Sequence, residues 1–159
     1  MSTDPTKSPG MFVRMVFGTR PNWTSLILRL TLAAVIFPHG AQKALGMYGG
    51  YGWSGTMSYL TGVVGLPSVL AAVVILIEFL APFALVLNLF TRGAAVGIIA
   101  VMLGAIEKVH FQNGFFMNWD GKAPGEGFEY HLLVIGMALA LVVAGAGCFS
   151  ADRRIGGTT

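Results

Sequence analysis

The stretch LPSVLAAVVILIEFLAPFALVLNLF, residues 66–90, carries one charged side chain, Glu78, and is otherwise apolar but for Ser68 and Asn88 near its ends. A bilayer core about 30 Å thick takes roughly 20 apolar residues of helix, so this segment is long enough to cross one. Working outward, three further stretches have the same character, at residues 26–45, 93–109 and 131–149. Short polar or Gly/Pro-rich pieces separate them: the tight turn Thr91-Arg92, the glycine-rich 46–55 followed by 56–65, and the loop 111–130 with its Asn113-Gly114 and Pro124-Gly125 turn signals. The pattern predicts an all-α fold, a polytopic membrane four-helix bundle. The expected organisation is a polar N-terminal segment at 1–24, a four-helix membrane domain at 25–150 and a tail at 151–159. No short apolar core with a small-residue cleavage site precedes the first span, so a retained helix is expected there. Met11 to Phe17 could lie along the inner interface.

Composition agrees. Apolar residues make up 55% of the 159 and charged residues 11%. A soluble domain carries roughly 25% charged residues, and this chain could not cover itself with so few. A net charge of +3 is too small for a surface that tracks nucleic-acid phosphates, so no nucleic-acid partner is expected. The lone Cys148 excludes an intramolecular disulfide and a Cys-x-x-Cys redox pair.

Charge at the span ends gives the orientation. Lys7, Arg14, Arg20, Arg29, Arg92, Arg153 and Arg154 fall on one side, and Lys43, Lys108 and Lys122 on the other. Both termini are therefore expected in the cytoplasm and both longer loops outside. Stripes of small residues, Gly93, Gly97, Ala100 and Gly104 in the third span and Gly136, Ala140 and Ala144 in the fourth, suit close helix packing within the bundle or a dimer face.

Glu78 is the sharpest chemical feature, because an unpaired carboxylate in mid-bilayer costs several kcal/mol. Arg29 is its candidate partner, about six residues from the middle of its own span and so roughly 9 Å away in depth. His39 lies at a similar depth on the opposite side. The pair would be a structural ion pair or part of a ligand, proton or quinone site. Lys43, Glu107, Lys108, His110, Glu129 and His131 gather near the outer end with His39. Glu107 and His110 have the Glu-x-x-His spacing of di-iron bundles, but no second copy exists, since Phe128 precedes His131 by three. Two or three of His39, His110 and His131 could hold a single metal or haem, bind a quinone carbonyl, or simply be solvated. The formal Gly-x-Gly-x-x-Gly at Gly50, Gly52 and Gly55 follows no strand and is not a dinucleotide site. Tyr48, Tyr51, Trp53, Tyr59, Phe115, Phe116 and Trp119 fit an interfacial aromatic belt.

The ensemble of Leu28-Arg29-Leu30, Phe37-Pro38-His39-Gly40-Ala41-Gln42-Lys43, Gly65-Leu66-Pro67, Glu78-Phe79, Thr91-Arg92 and His110-Phe111-Gln112-Asn113-Gly114 resembles the DoxX family. The resemblance spans about residues 24 to 153. It implies a four-helix bacterial inner-membrane protein. It also implies a role of the kind described for such proteins: a membrane oxidoreductase, a subunit like those of thiosulfate:quinone oxidoreductase, or a membrane partner in a thiol-redox complex. The family motif falls on Arg29, His39, Gly40, Lys43, Glu78 and His110. Ala81-Pro82 stands where members often carry two glycines, which puts an unchanged site beside Glu78 in question.

The expected function is a quinone-linked redox component of a membrane complex. Glu78 and His39 would be catalytic. Arg29, Lys43, His110 and His131 would bind the ligand, with no dedicated metal site. Quinone is the expected cofactor, with haem or a single metal as the other options. Membrane lipids and other membrane or periplasmic subunits are the expected partners. The alternative is a non-catalytic subunit that stabilises or anchors a larger membrane complex.

Overall fold

The computed structural model describes residues 10–149 and 151–156, so Lys7 lies outside the described residues, as does the side chain of Arg153. Among them the fold is all helical. A short α1 (Met11–Phe17) precedes α2 (Trp23–Leu45), α3 (Gly52–Gly62), α4 (Ser68–Leu87), α5 (Thr91–Ala105), α6 (Glu129–Ala144) and a short α7 (Asp152–Gly156). A π turn, Ile106–His110, and a 3-10 turn, Phe111–Asn113, prolong α5. Helices α2, α4 and α5 with its extension are long and apolar enough to cross a membrane; α6 is apolar and shorter. At 1.5 Å per residue the 16 residues of α6 rise about 24 Å.

Each long helix buries one face. In α4 the buried positions are Ala71, Ile75, Glu78, Pro82 and Leu85 with Ala81, a helical stripe that includes the only charge in the span. Leu32 and Ile36 of α2, Leu85 of α4, Ile98 and Met102 of α5, and Val134 and Leu141 of α6 meet in one core. Val35, Leu76, Leu80, Phe83, Val96 and Leu133 point outward, as lipid-facing side chains do. Helix α2 packs on α4, α5 on α6, and α2 also touches α6.

Local sequence sets the ends. The Asn22 side chain accepts the Ser25 N–H at 2.7 Å and starts α2. Gly46, at φ +73°, stops it. The turn between α4 and α5 lies at Asn88-Leu89-Phe90, not at Thr91-Arg92, which instead open α5. Asn88 and Phe90 both adopt the left-handed conformation. Asp152 then caps α5 from the far end of the chain, accepting the N–H of Phe90 at 2.6 Å and of Thr91 at 2.9 Å.

Two expectations change. The segment 56–65 is not a loop: α3 forms there and buries Thr56 and Leu60, the latter against Ala71 and Ile75 of α4. The fourth span ends at Ala144 rather than at residue 149. Gly145 (φ +75°) and Gly147 (φ +78°) turn the chain back across the bundle end, where the Gly147 N–H donates to Thr19 and the Cys148 N–H to Asn22. The small-residue stripes are also only partly at helix interfaces. A Cβ on Gly97 would meet Ile77 of α4, whereas Gly104 and Gly136 face open space.

Candidate functional site where α2 ends and α6 begins

Four chain segments bring titratable side chains together at the end of the bundle where α2 finishes and α6 begins. Helix α2 supplies His39 and Lys43, one turn apart on one face. Helix α4 supplies Glu78, the π turn supplies His110, and α6 supplies Tyr130 and His131. His39 is exposed, Lys43, His110 and Tyr130 are half-buried, and Glu78 and His131 are buried at 4% and 6% exposure. The cluster therefore runs from the surface inward.

Glu78 forms an ion pair with Lys43. His39 lies within electrostatic reach of both, and Tyr130 within reach of Glu78. The rings of His39 and Tyr130 are 6.1 Å apart, those of Tyr130 and His131 5.5 Å, and those of His110 and His131 4.2 Å. His110 Nδ1 donates to the carbonyl of Glu126 at 2.8 Å, which leaves Nε2 of the neutral ring as its acceptor. A π turn is a common device at functional sites, and here it carries His110 to the start of α6.

Two buried polar atoms in the cluster lack hydrogen-bond partners, the Tyr130 hydroxyl and His131 Nδ1. Buried polar groups are almost always paired. Both of these atoms lie beside the Lys43–Glu78 ion pair.

Glycine fixes the spacing. At Gly40, one turn below Lys43 and beside His39, a Cβ would overlap the backbone carbonyl of Glu78 and sit 2.7 Å from Phe79 Cα. Helices α2 and α4 thus touch backbone to backbone at the level of Glu78. Pro82 removes the N–H that would otherwise bond the Glu78 carbonyl, so the helix backbone is under-bonded at the same level.

Arg29 is not the partner of Glu78. It is buried at the opposite end, where Nη1 donates to the carbonyls of Leu85 at 2.8 Å and Val86 at 3.0 Å, and Nη2 to Cys148 at 3.2 Å. The last carbonyls of a helix lack intrahelical partners and attract a cation. Leu85 is seven residues from Glu78, about 10 Å along α4, so an arginine committed to that end cannot serve the carboxylate. Arg29 therefore stands apart from the cluster. Glu107 does too: it is exposed and pairs with Lys108 at 2.9 Å.

Among the described residues no group of three or more His, Cys, Asp or Glu side chains is placed to share a metal ion. A single-metal site would rest on the adjacent His110 and His131 alone. Tyr130 was not expected in the site. Its signal was available: a tyrosine beside His131 at the mouth of the fourth span, one helix position from a titratable group.

The unequal burial of the ion pair gives a prediction. Side-chain exposure is 31% for Lys43 and 6% for Glu78. Lys43→Met strands a buried carboxylate and should cost about 3 kcal/mol, whereas Glu78→Gln leaves an ammonium that can turn to water and should cost about 1 kcal/mol or less. Unfolding by SDS titration in mixed micelles reads both, and the reverse order would contradict the burial.

The DoxX family pattern matches residues 24–111. The chain belongs to the DoxX family. Among similar DoxX-like proteins is the one named "Putative oxidoreductase CatD" of Bacillus subtilis, 32% identical over 117 residues, which are 74% of this chain and 77% of that protein. Another is "Inner membrane protein YphA" of Escherichia coli, 28% identical over 141 residues, 87% of this chain and 94% of that protein. No solved structure matches. The family match runs from α2 through the π turn and so contains His39, Gly40, Lys43, Glu78 and His110. Tyr130 and His131 lie beyond it. With its apolar spans and outward-facing apolar side chains, this DoxX protein is a membrane protein.

Proposed function

We propose that this DoxX protein is a quinone-linked redox component of the bacterial inner membrane, with the outer-end cluster as its headgroup site. The observation that carries the reading is the pair of unpartnered buried atoms, Tyr130 hydroxyl and His131 Nδ1, beside the Lys43–Glu78 ion pair. A relative named as an oxidoreductase supports the reaction class, and one named as an inner membrane protein supports the location. The arginines at the α1, α7 and α4–α5 end support cytoplasmic termini.

A quinone would supply the carrier chemistry, taking up electrons and protons in pairs. The Tyr130 hydroxyl donates a hydrogen bond to a carbonyl oxygen, and His131 offers its unpartnered Nδ1. Lys43 stabilises negative charge on such an oxygen. Glu78 Oε holds or releases a proton within reach of His39, whose exposed ring links the buried pair to the surface. Electrons come from a partner subunit, because Cys148 is solitary and sits at the other end of the bundle.

The test is the quinone content of the protein purified from membranes in mild detergent. The wild type should retain quinone, and Tyr130→Phe and Glu78→Gln should each retain about tenfold less, the loss of one good hydrogen bond or charge contact. A wild-type protein that neither retains quinone nor binds an added short-chain analogue would overturn this reading and leave the accessory-subunit role in its place.

A further inference from the structure

A second site lies at the opposite end. A cleft of about 480 Å³ opens between α1 and the bundle, lined by Met11, Arg14, Met15, Arg92 and Val142. Its wall is apolar on the Met11, Met15 and Val142 side and cationic on the other.

Among the described residues neither arginine pairs with a carboxylate. Arg92 is fixed by four bonds to neutral carbonyls: Nε to Val142 at 2.8 Å, Nη1 to Met15 at 2.9 Å and Gly18 at 2.6 Å, and Nη2 to Val143 at 3.3 Å. These hold the guanidinium rigidly and leave its charge uncompensated. Arg14 is exposed, with no carboxylate within 4.0 Å among the described residues. The nearby Asp152 is buried and turned to the backbone of Phe90 and Thr91. Around the cleft the surface stays apolar, with Met11 89%, Phe12 71% and Met15 62% exposed. Helix α1 has no fully buried residue: Phe17 packs on Phe90, while Met11, Phe12 and Met15 are left uncovered.

An occupant must combine an anion with an apolar body, at the level where membrane helices end. We infer that this cleft binds an acidic phospholipid. The phosphate lies between Arg14 and Arg92, and an acyl chain runs over Met11, Met15 and Val142. Basic pockets between membrane helices hold such headgroups: Arg92, with one Nη2 N–H left over, supplies mainly its charge, and Arg14 supplies the guanidinium fork that suits phosphate. The site does not depend on the cluster around Lys43 and Glu78.

The experiment is native mass spectrometry of the full chain, delipidated in detergent and titrated with phosphatidylglycerol or with phosphatidylcholine of the same acyl chains. Phosphatidylglycerol should bind in preference. Arg14→Gln should weaken it about fivefold, the value of one basic side chain at a membrane surface, and Arg14→Lys should restore most of it. The only Arg14 hydrogen bonds among the described residues are backbone ones, to Gly10 and from Gly18, which a side-chain substitution keeps, so these variants should remain folded. Met15→Glu, which puts a carboxylate on the cleft wall, is expected to abolish the preference. Equal binding of the two lipids, indifference to Arg14→Gln, or displacement of phosphatidylglycerol by an equal concentration of inorganic phosphate would each overturn the assignment.

Discussion

Gly40→Ala should destabilise the protein by about 3 kcal/mol and disrupt the cluster around Lys43 and Glu78. The added methyl would overlap the Glu78 carbonyl, with its carbon 2.5 Å from Glu78 C and 2.7 Å from Phe79 Cα. Both neighbours are backbone, so neither can rotate away, and α2 and α4 must part. Overpacking in a well-packed interior typically costs 1–3 kcal/mol, occasionally more, and a backbone-to-backbone contact lies at the upper end. Parting the helices also pulls Lys43 from Glu78 and widens the gap that His39 and Tyr130 border. Gly136→Ala is the control, because nothing lies within 4 Å of its added methyl. It should leave stability within about 0.5 kcal/mol. Unfolding in mixed micelles separates the two.

Arg29→Met should cost a similar amount, about 3 kcal/mol, yet leave the site working in the molecules that remain folded. The side chain makes charge-assisted hydrogen bonds to Leu85, Val86 and Cys148, and such bonds contribute about 1.5–3 kcal/mol each before the cost of burying the charge. It ties the end of α4 to the segment that follows α6. Asn88 joins the same knot, donating to Cys148 and Phe149 and accepting from Thr91. Loss of quinone from Arg29→Met at unchanged stability would restore the Arg29–Glu78 pairing that the structure replaces with Lys43–Glu78.

Why the sequence yielded some of this and not the rest has physical causes. Residues 66–90 are so apolar that no other fold class could house them, and α4 follows almost directly. Helix α3 was hidden because GWSGTMSYLTG is rich in glycine and short of apolar residues. Its stability comes from Leu60 packing under α4, which no local pattern reveals. Arg29 was paired wrongly because rise along a helix gives depth but not direction. The orphaned carbonyls at the end of α4 lay closer to it than the carboxylate did. His39, Lys43, His110 and His131 were legible as polar groups near span ends, and Glu78 as a lone charge in mid-span. What brought His110 to His131 was a π turn, and local backbone geometry of that kind leaves no clear trace in composition. Tyr130 was overlooked because a tyrosine near an interface reads as a membrane anchor until its hydroxyl is seen to be buried without a partner.

The same physical division separates the two ends of the molecule. At the α1–α7 end the buried Asp152, Asn88 and Arg29 and the half-buried Arg92 hold the helix ends together through backbone groups, and of the buried side-chain atoms only Ser25 Oγ and Arg29 Nε are unpartnered there among the described residues. At the other end polar atoms are left unspent. A ligand can gain hydrogen bonds at the cluster of His39, Lys43, Glu78, His110, Tyr130 and His131, where the Tyr130 hydroxyl and His131 Nδ1 lack partners.

The most direct measurement is photolabelling of the membrane-embedded protein with an azido-quinone, followed by mapping of the labelled peptides. Label should fall on the segments containing His39–Lys43 and Tyr130–His131, and excess unlabelled short-chain quinone should remove it. Label spread over the lipid-facing residues and unmoved by competitor, or concentrated beside Arg29 and Arg92, would contradict the account.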